Sequence, residues 1–384
     1  MVLQHIEAEI LPSARLSHYE TPSASVAILE GDELETHVFT TGDENSETLY
    51  LADSNSKSIT SIGVARLVDQ GLLSFEDKIT DYVDAESFLH DPDSGHMIQH
   101  VTIRMLMTHT SGLVKKNICH HSGMSDFAGH ACWQFNHFPG SKWHYDNAFG
   151  LVQQAMEKVA GKAFPDLMRD LVTKPLGMTR TFWGNLATSE MNFARPHFKG
   201  VEVSLPQPYH QAELSTYGMW TTASDLLRAI SAVQKSLQAS SSFLSQATAE
   251  FMLITGARPM RAIGESPEQL GLGWFVTSTA FGHRGCRQTN GYHSCFFGFH
   301  GQEARSLQFT SCAIMTNAFE GLQPIRDLIN AVMYLKRWPR QLIMPSNLGI
   351  DAALPRAAPA KTLIDSSWAD WRGTWSRGSQ QGCK

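Results

Sequence analysis

Strand-like segments stand near both ends of this chain and helix-like segments fill its middle. That order constrains the fold more than any other feature of the sequence. Residues 24–30 (ASVAILE) and 37–41 (HVFTT) are rich in β-branched and apolar residues and flank Gly31 and Asp32, which predicts a hairpin near the start. Strand character returns at 272–281 (LGWFVTSTAF) and 307–316 (LQFTSCAIMT). Between them the spacing is helical. From Ser54 onward Ile59, Ile62, Leu67 and Val68 fall near one face and Gly71 follows as a C-cap, which predicts a buried helix over 54 to about 70. Residues 101–113 read as a short helix ending at Gly112, and residues 147–160 as another ending at Gly161. A third, over 222–236, opens on Thr222, Ala223, Ser224 and Asp225 and carries Leu226, Leu227 and Ile230. Early and late strands can share one sheet only if the helical section is an excursion from it.

Composition narrows the function classes. With 384 residues, 42% hydrophobic and 18% charged, the chain can bury a substantial core. A formal charge of -6, from 37 acidic and 31 basic residues, supplies no basic surface for nucleic acid or anionic membrane. The N-terminal residues include Glu7, Glu9 and Arg15 and lack the pattern of a secretory signal, and no segment has the roughly 18 apolar residues of a membrane helix. A cytoplasmic protein acting on small molecules is the expectation. Six cysteines (Cys119, Cys132, Cys286, Cys295, Cys312 and Cys383) are too sparse for a disulfide framework and read as free thiols. The stretch 109–144 holds His109, His120, His121, His130, His137 and His144 without a Cys-x2-Cys or His-Glu-x-x-His pattern. We expect no metal and no cofactor, and read this stretch as a loop over the active site whose Trp133, Phe135, Phe138 and Trp143 shape an acyl pocket.

Three short segments carry chemistry. Ser54-Asn55-Ser56-Lys57 opens the buried helix, so its serine and lysine share a face one turn apart. A lysine so placed can accept a serine proton when burial or neighbouring charge disfavours an ammonium, and the helix N-terminus stabilises a developing oxyanion. The plainer reading is a serine N-cap followed by a solvated lysine. Tyr145-Asp146-Asn147 stands directly before the next long helix; the tyrosine can shuttle a proton and the asparagine can bond a lysine and a substrate carbonyl, or the segment is merely a turn. His283-Arg284-Gly285 comes last, where a histidine places a donor opposite the serine and a glycine lets a strand edge approach closely.

In joint order these segments resemble the motif set of the serine β-lactamase and penicillin-binding-protein superfamily: Ser-x-x-Lys, then Tyr-x-Asn, then Lys-Thr-Gly or His-x-Gly. The resemblance extends to SKSITSIGVARLVDQGLLSFEDKITDYV, VTIRMLMTHTSGL, FPGSKWHYDNAFGLV, KPLGMTRTFW, MWTTASDLLRAI and GHRGCRQTNGYHS, over roughly residues 22 to 335. The His-x-Gly version is most similar to class C β-lactamase-related esterases, D-aminopeptidase-like hydrolases and the acyltransferase of lovastatin biosynthesis.

The resemblance implies an α/β (α+β) fold of the β-lactamase/transpeptidase-like type, with an antiparallel sheet flanked by helices plus an all-helical lobe. The implied division is a catalytic domain over 1–353, with a sheet lobe from about 1–75 and 265–340 and a helical lobe over about 76–264, then a linker and short tail over 354–384. Within that tail, SSWADWRGTWSRG is similar to the opening of a small β-rich domain. By position, Ser54 is implied as the acylated nucleophile, Lys57 as its activating partner and Tyr145 as the proton shuttle, with Asn147 supporting lysine and substrate. The oxyanion hole is implied at the backbone amides of Ser54 and Cys286, beside Gly285, with His283 lining the site and Arg284 facing solvent or a substrate carboxylate. Asp146 departs from the small residue usual between Tyr and Asn and adds negative charge near the site. The expected function is hydrolysis of a small-molecule ester, lactone or amide through an acyl-Ser54 intermediate. The same intermediate serves an acyltransferase of secondary metabolism, with an acceptor alcohol or amine as second partner. A catalytically silent binder of the same fold is the alternative from another class.

Overall fold

The computed structural model describes residues 1–84, 89, 94–116, 132–205, 211–254, 269–287 and 291–339. Cys119, Cys383, His120, His121, His130 and the tail expected over 354–384 lie outside them.

The predicted hairpin forms as β1 (Ser23–Glu30) and β2 (Glu33–Thr40), turning at Gly31 with its φ of 62°. Five further strands build on it: β3 (Gln269–Leu270), β4 (Phe275–Val276), β5 (Ala280–Arg287), β6 (Tyr292–Phe299) and β7 (Thr310–Thr316). The sheet runs β3-β4-β5-β6-β7-β1-β2. Every neighbouring pair is antiparallel, and the two ends of the chain meet where Val26 faces Ile314. β6 and β7 are buried along their whole length, which explains sequences (YHSCFFGF and TSCAIMT) that carry apolar and small residues without strict alternation.

The segment expected as one strand over 272–281 is two. Thr277 Oγ1 accepts from the N–H of Ala280 (3.0 Å) and Thr279 (3.3 Å), and this hydroxyl-capped turn ends β4 and starts β5. The His-x-Gly segment therefore lies inside β5 rather than after a strand. Helix 101–113 is likewise shorter than expected. It spans only Ile103–Met107, capped by Thr102 Oγ1, and is followed by His109 at φ 56°, a conformation no helix continues through. Leu113–Lys116 then pairs with Cys132–Phe135 as a small ladder.

Three long helices match their sequence signals. α1 (Asn55–Asp69) is buried on nearly every side, α2 (Phe149–Ala160) ends at Gly161 with a φ of 60°, and α3 (Ala223–Leu237) starts where Thr222 Oγ1 accepts from the Asp225 N–H at 3.2 Å. α3 packs on β7, β1 and β6, where Gly298 admits Ile230 and Gln234 Nε2 donates to the carbonyls of Phe299 and Thr310, each at 2.9 Å. α4 (Leu322–Lys336) packs on β6 and β7, and Trp338 beyond it meets Phe297 and Phe299 edge-on. Among the described residues no helix is long and apolar enough to cross a membrane.

α1 carries the first motif into the interior. Its hydroxyls are all spoken for: Ser58 Oγ donates to the Gly273 carbonyl (2.6 Å), Thr60 to Ser215 (3.2 Å) and Ser61 to Lys57 (2.9 Å). That satisfaction lets a helix rich in Ser and Thr sit in a core.

Candidate active site

The site is assembled on the turn that leads into α1. Tyr50–Leu51 pairs with Met219–Thr221, and the Ala52 N–H extends the pairing to the Met219 carbonyl at 2.8 Å. Asp53 follows in the left-handed region, with φ 50°. Ser54 then takes the N-cap position of α1 but makes no capping bond with its side chain. Its Oγ instead receives a hydrogen bond from Lys57 Nζ at 3.0 Å and donates to Asp53 Oδ1 at 3.2 Å.

Lys57 is not solvated: it is fully buried, and Ser54 is only 7% exposed. The Lys57 ammonium also donates to the Thr216 carbonyl (3.4 Å) and lies 5.0 Å from the ring centroid of Tyr145 and 4.7 Å from that of Tyr217. Two tyrosine faces and a carbonyl thus replace water around a buried cation. Asn147, expected to support the lysine, is not among its hydrogen-bond partners; its carbonyl accepts from Thr216 Oγ1 at 3.5 Å. Tyr145 stands beside Lys57 with no hydrogen bond from its hydroxyl to Ser54 or Lys57.

The residue between them is tied down elsewhere. Asp146 is buried; its Oδ1 accepts the Ala148 N–H (2.8 Å) at the entrance to α2, and Ser111 Oγ donates to Oδ2 at 3.4 Å. Both its N–H (3.2 Å) and its Oδ1 (3.4 Å) approach Nδ1 of His109, whose ring lies 4.4 Å from that of Tyr145. Burial pushes His109 below its ordinary 6.5, with Asp146 opposing the shift.

β5 closes the other side. His283 is buried, and its Nδ1–H donates to the Arg284 carbonyl at 2.7 Å. Burial drives its pKa well down, and the Lys57 charge adds to the effect. Its ring is 6.4 Å from Tyr145 and 4.8 Å from Phe275. Arg284, expected to face solvent or a substrate carboxylate, is half-buried, its guanidinium 4.5 Å from the centre of the Phe275 ring. Cys286, Cys295 and Cys312 stand outside any disulfide, with Cys286 partly exposed.

Gly285 explains itself sterically. A Cβ there would stand 2.2 Å from the Ala52 carbonyl oxygen and 2.5 Å from Ser294 Oγ. Ser294 in turn donates to the Ala52 carbonyl (3.2 Å) and accepts from Asn55 Nδ2 (2.8 Å), so the glycine lets β5 clamp the turn that aims Ser54. Gly285→Ala is expected to cost about 1–3 kcal/mol of stability by overpacking. It should also lower turnover at least tenfold, which thermal melting and ester hydrolysis rates would measure together.

Four residues of this constellation were missed by sequence reasoning. Asp53 left a signal, standing directly before the serine; His109 was visible only as one of many histidines; Thr216 and Tyr217 left none. Of the aromatics expected around an acyl group, Trp143 lies 6.5 Å from Tyr145 and Trp133 is buried. Among the described residues no three His, Cys, Asp or Glu side chains gather as metal ligands.

The profile of the family described as Beta-lactamase matches residues 11–328. Esterase EstB of Burkholderia gladioli is 25% identical over 344 residues, covering 76% of this chain and 83% of that protein. The D-alanyl-D-alanine-carboxypeptidase/endopeptidase AmpH of Escherichia coli K12 is 25% identical over 255 residues, 62% of this chain and 63% of that one. Among solved structures, D-alanine carboxypeptidase AmpC from Burkholderia cenocepacia superposes with a TM-score of 0.65 at 19% identity, over 86% of this chain and 99% of that one.

Proposed function

The chain belongs to the Beta-lactamase family, whose members similar to it are hydrolases, and from that premise we propose that it cleaves a small-molecule ester, lactone or amide through an acyl-Ser54 intermediate. The observation that carries the reading is the 3.0 Å contact between Lys57 Nζ and Ser54 Oγ, both buried at the N-terminus of a 15-residue helix. Ser54 Oγ attacks the acyl carbon, and Lys57 and Tyr145 handle the proton on its way to the leaving group. The carbonyl oxygen turns to the amides of Ser54 and Cys286, where the helix dipole favours negative charge. Asn147, His283 and Arg284 line the substrate, and Gly285 holds the strand close enough for the Cys286 amide to take part.

Transfer to an alcohol or amine is the second reading, and the depth of the site favours it. A nucleophile 7% exposed forms an ester that water reaches poorly, which lets a bound acceptor compete. The partners are then the acyl substrate and that acceptor, with no cofactor.

The test is intact-protein mass spectrometry after exposure to a panel of activated esters and thioesters. The wild type is expected to gain an acyl mass that Ser54→Ala does not. Adduct lifetime in water against added alcohols and amines separates hydrolase from transferase. Absence of any adduct or turnover supports a silent binder, and equal acylation of both proteins removes Ser54 as nucleophile.

A further inference from the structure

We propose that His109 is a positioning residue for Tyr145, fixing the phenol beside Lys57 through the backbone on both sides of it and through its ring. The inference rests on the acyl-Ser54 reading, in which Tyr145 handles a proton.

Tyr145 is not placed by its own hydroxyl, which makes no hydrogen bond to Ser54 or Lys57. Its two neighbours in sequence are placed instead, and by one residue. On one side the His144 N–H donates to the His109 carbonyl at 2.9 Å; on the other the Asp146 N–H donates to His109 Nδ1 at 3.2 Å. Between these bonds the His109 ring lies 4.4 Å from the Tyr145 ring, inclined to it by 32°. A shift of His109 therefore carries the phenol with it.

His109 is itself held. It is fully buried, its ring also meets that of Phe149 at 5.9 Å, and its φ of 56° lies in a region that few residues with a Cβ enter, histidine more readily than most. Strained backbone of this kind persists only where its surroundings fix it. Here the Thr110 N–H donates to the Met105 carbonyl at 2.9 Å, and Ser111 Oγ donates to Asp146 Oδ2 at 3.4 Å. Asp146 Oδ1 accepts the Ala148 N–H at 2.8 Å, so this carboxylate ties the His109 turn to the entrance of α2, with Tyr145 next to it. A backbone N–H can only donate, so Nδ1 is the bare nitrogen of the ring and Nε2 carries the hydrogen. Burial favours that neutral ring.

The consequence is catalytic although His109 handles no proton. A group that moves a proton must stand within hydrogen-bond reach of it, and a misplacement of about 1 Å costs on the order of 100-fold in rate. The contribution of His109 to turnover thus runs through the Tyr145 hydroxyl.

The test is a double-mutant cycle on turnover of a p-nitrophenyl ester, with His109→Gly, Tyr145→Phe and the two combined, and thermal melting to confirm each fold. Glycine keeps the left-handed turn and removes ring and acceptor together, whereas phenylalanine removes only the hydroxyl. His109→Gly is expected to lower kcat about 100-fold and to leave KM within about threefold. In the Tyr145→Phe background the same exchange is expected to lower kcat less than about threefold, because no hydroxyl is left to misplace. If His109→Gly fails to fold, His109→Asn decides by the same comparison, since asparagine tolerates the positive φ and returns an acceptor oxygen; its loss is about tenfold with the hydroxyl present and less than about threefold without it. Equal losses in the two backgrounds, a loss carried by KM, or full activity without the His109 ring overturns the proposal and leaves the acyl-Ser54 reading standing. That reading falls on a different result, a wild type that takes up no acyl mass on Ser54. A Tyr145→Phe protein as fast as the wild type removes the proton role of Tyr145 and the proposal with it.

Discussion

Lys57→Met is expected to lower kcat/KM on an activated ester by about a thousandfold, within the range of a lost acid–base group, while the protein still folds. Loss of activity and retention of structure follow from the same fact, the complete burial of the lysine. Holding an ammonium out of water is costly, and its compensation here is two hydrogen bonds and two tyrosine faces. Methionine fills a similar volume without that desolvation cost, and its flexible thioether packs against aromatic rings. The lost bonds to Ser54 and Thr216 offset part of this gain. Unfolding free energy should therefore move by no more than about 1.5 kcal/mol, as in other volume-conserving core exchanges. Steady-state kinetics and a urea titration on the same preparation check both halves. Activity within tenfold of the wild type would reduce Lys57 to a packing residue, and an unfolded variant would make its ammonium a structural anchor.

Acidification from pH 7.5 to 5.5 is expected to destabilise the fold, by up to several kcal/mol. His109, His283, His293 and His300 are all held below their ordinary 6.5, in each case chiefly by burial. Below that value the unfolded chain takes up a proton on each ring that the folded chain refuses, so stability falls as pH falls. One pH unit below 6.5, a ring that stays fully neutral when folded costs about 1.4 kcal/mol, so the four together set an upper limit of about 5. That is a large share of a typical domain stability of about 5–15 kcal/mol. Asp225 and Asp327 work the other way, because burial raises their carboxyls and the folded state then holds protons more tightly than the unfolded one. Their contribution is complete below the ordinary value of 3.8 and fades as pH rises through their raised values, so it weighs most at lower pH. Urea midpoints across pH 5 to 8 would read the slope, and a flat profile would mean that the rings accept protons in the folded state.

Local signals in the sequence determined the pieces of this protein. Gly31 between two β-branched runs specified the first hairpin, Thr222 and Gly161 marked ends of two helices, and the three-residue spacing of Ser54 and Lys57 placed them one turn apart on α1. Each depends on residues within a few positions of one another, which is the range over which backbone propensity and capping act. The order of the three motifs carried the family as well, and the matched region from 11 to 328 spans them all.

Tertiary structure decided the rest. Which strands neighbour which, and that Val26 should face Ile314, is settled by burying two sheet faces under helices drawn from distant parts of the chain. Helix 101–113 stopped at Met107 and strand 272–281 broke at Thr277, because a left-handed His109 and a serine–threonine turn outweighed patterns that the sequence made look continuous. The buried cage of Tyr145, Tyr217 and the Thr216 carbonyl around Lys57 joins residues as much as 160 positions apart in sequence. No period or spacing encodes such a meeting. It exists only because the packed core buries Lys57 completely and brings those partners against it.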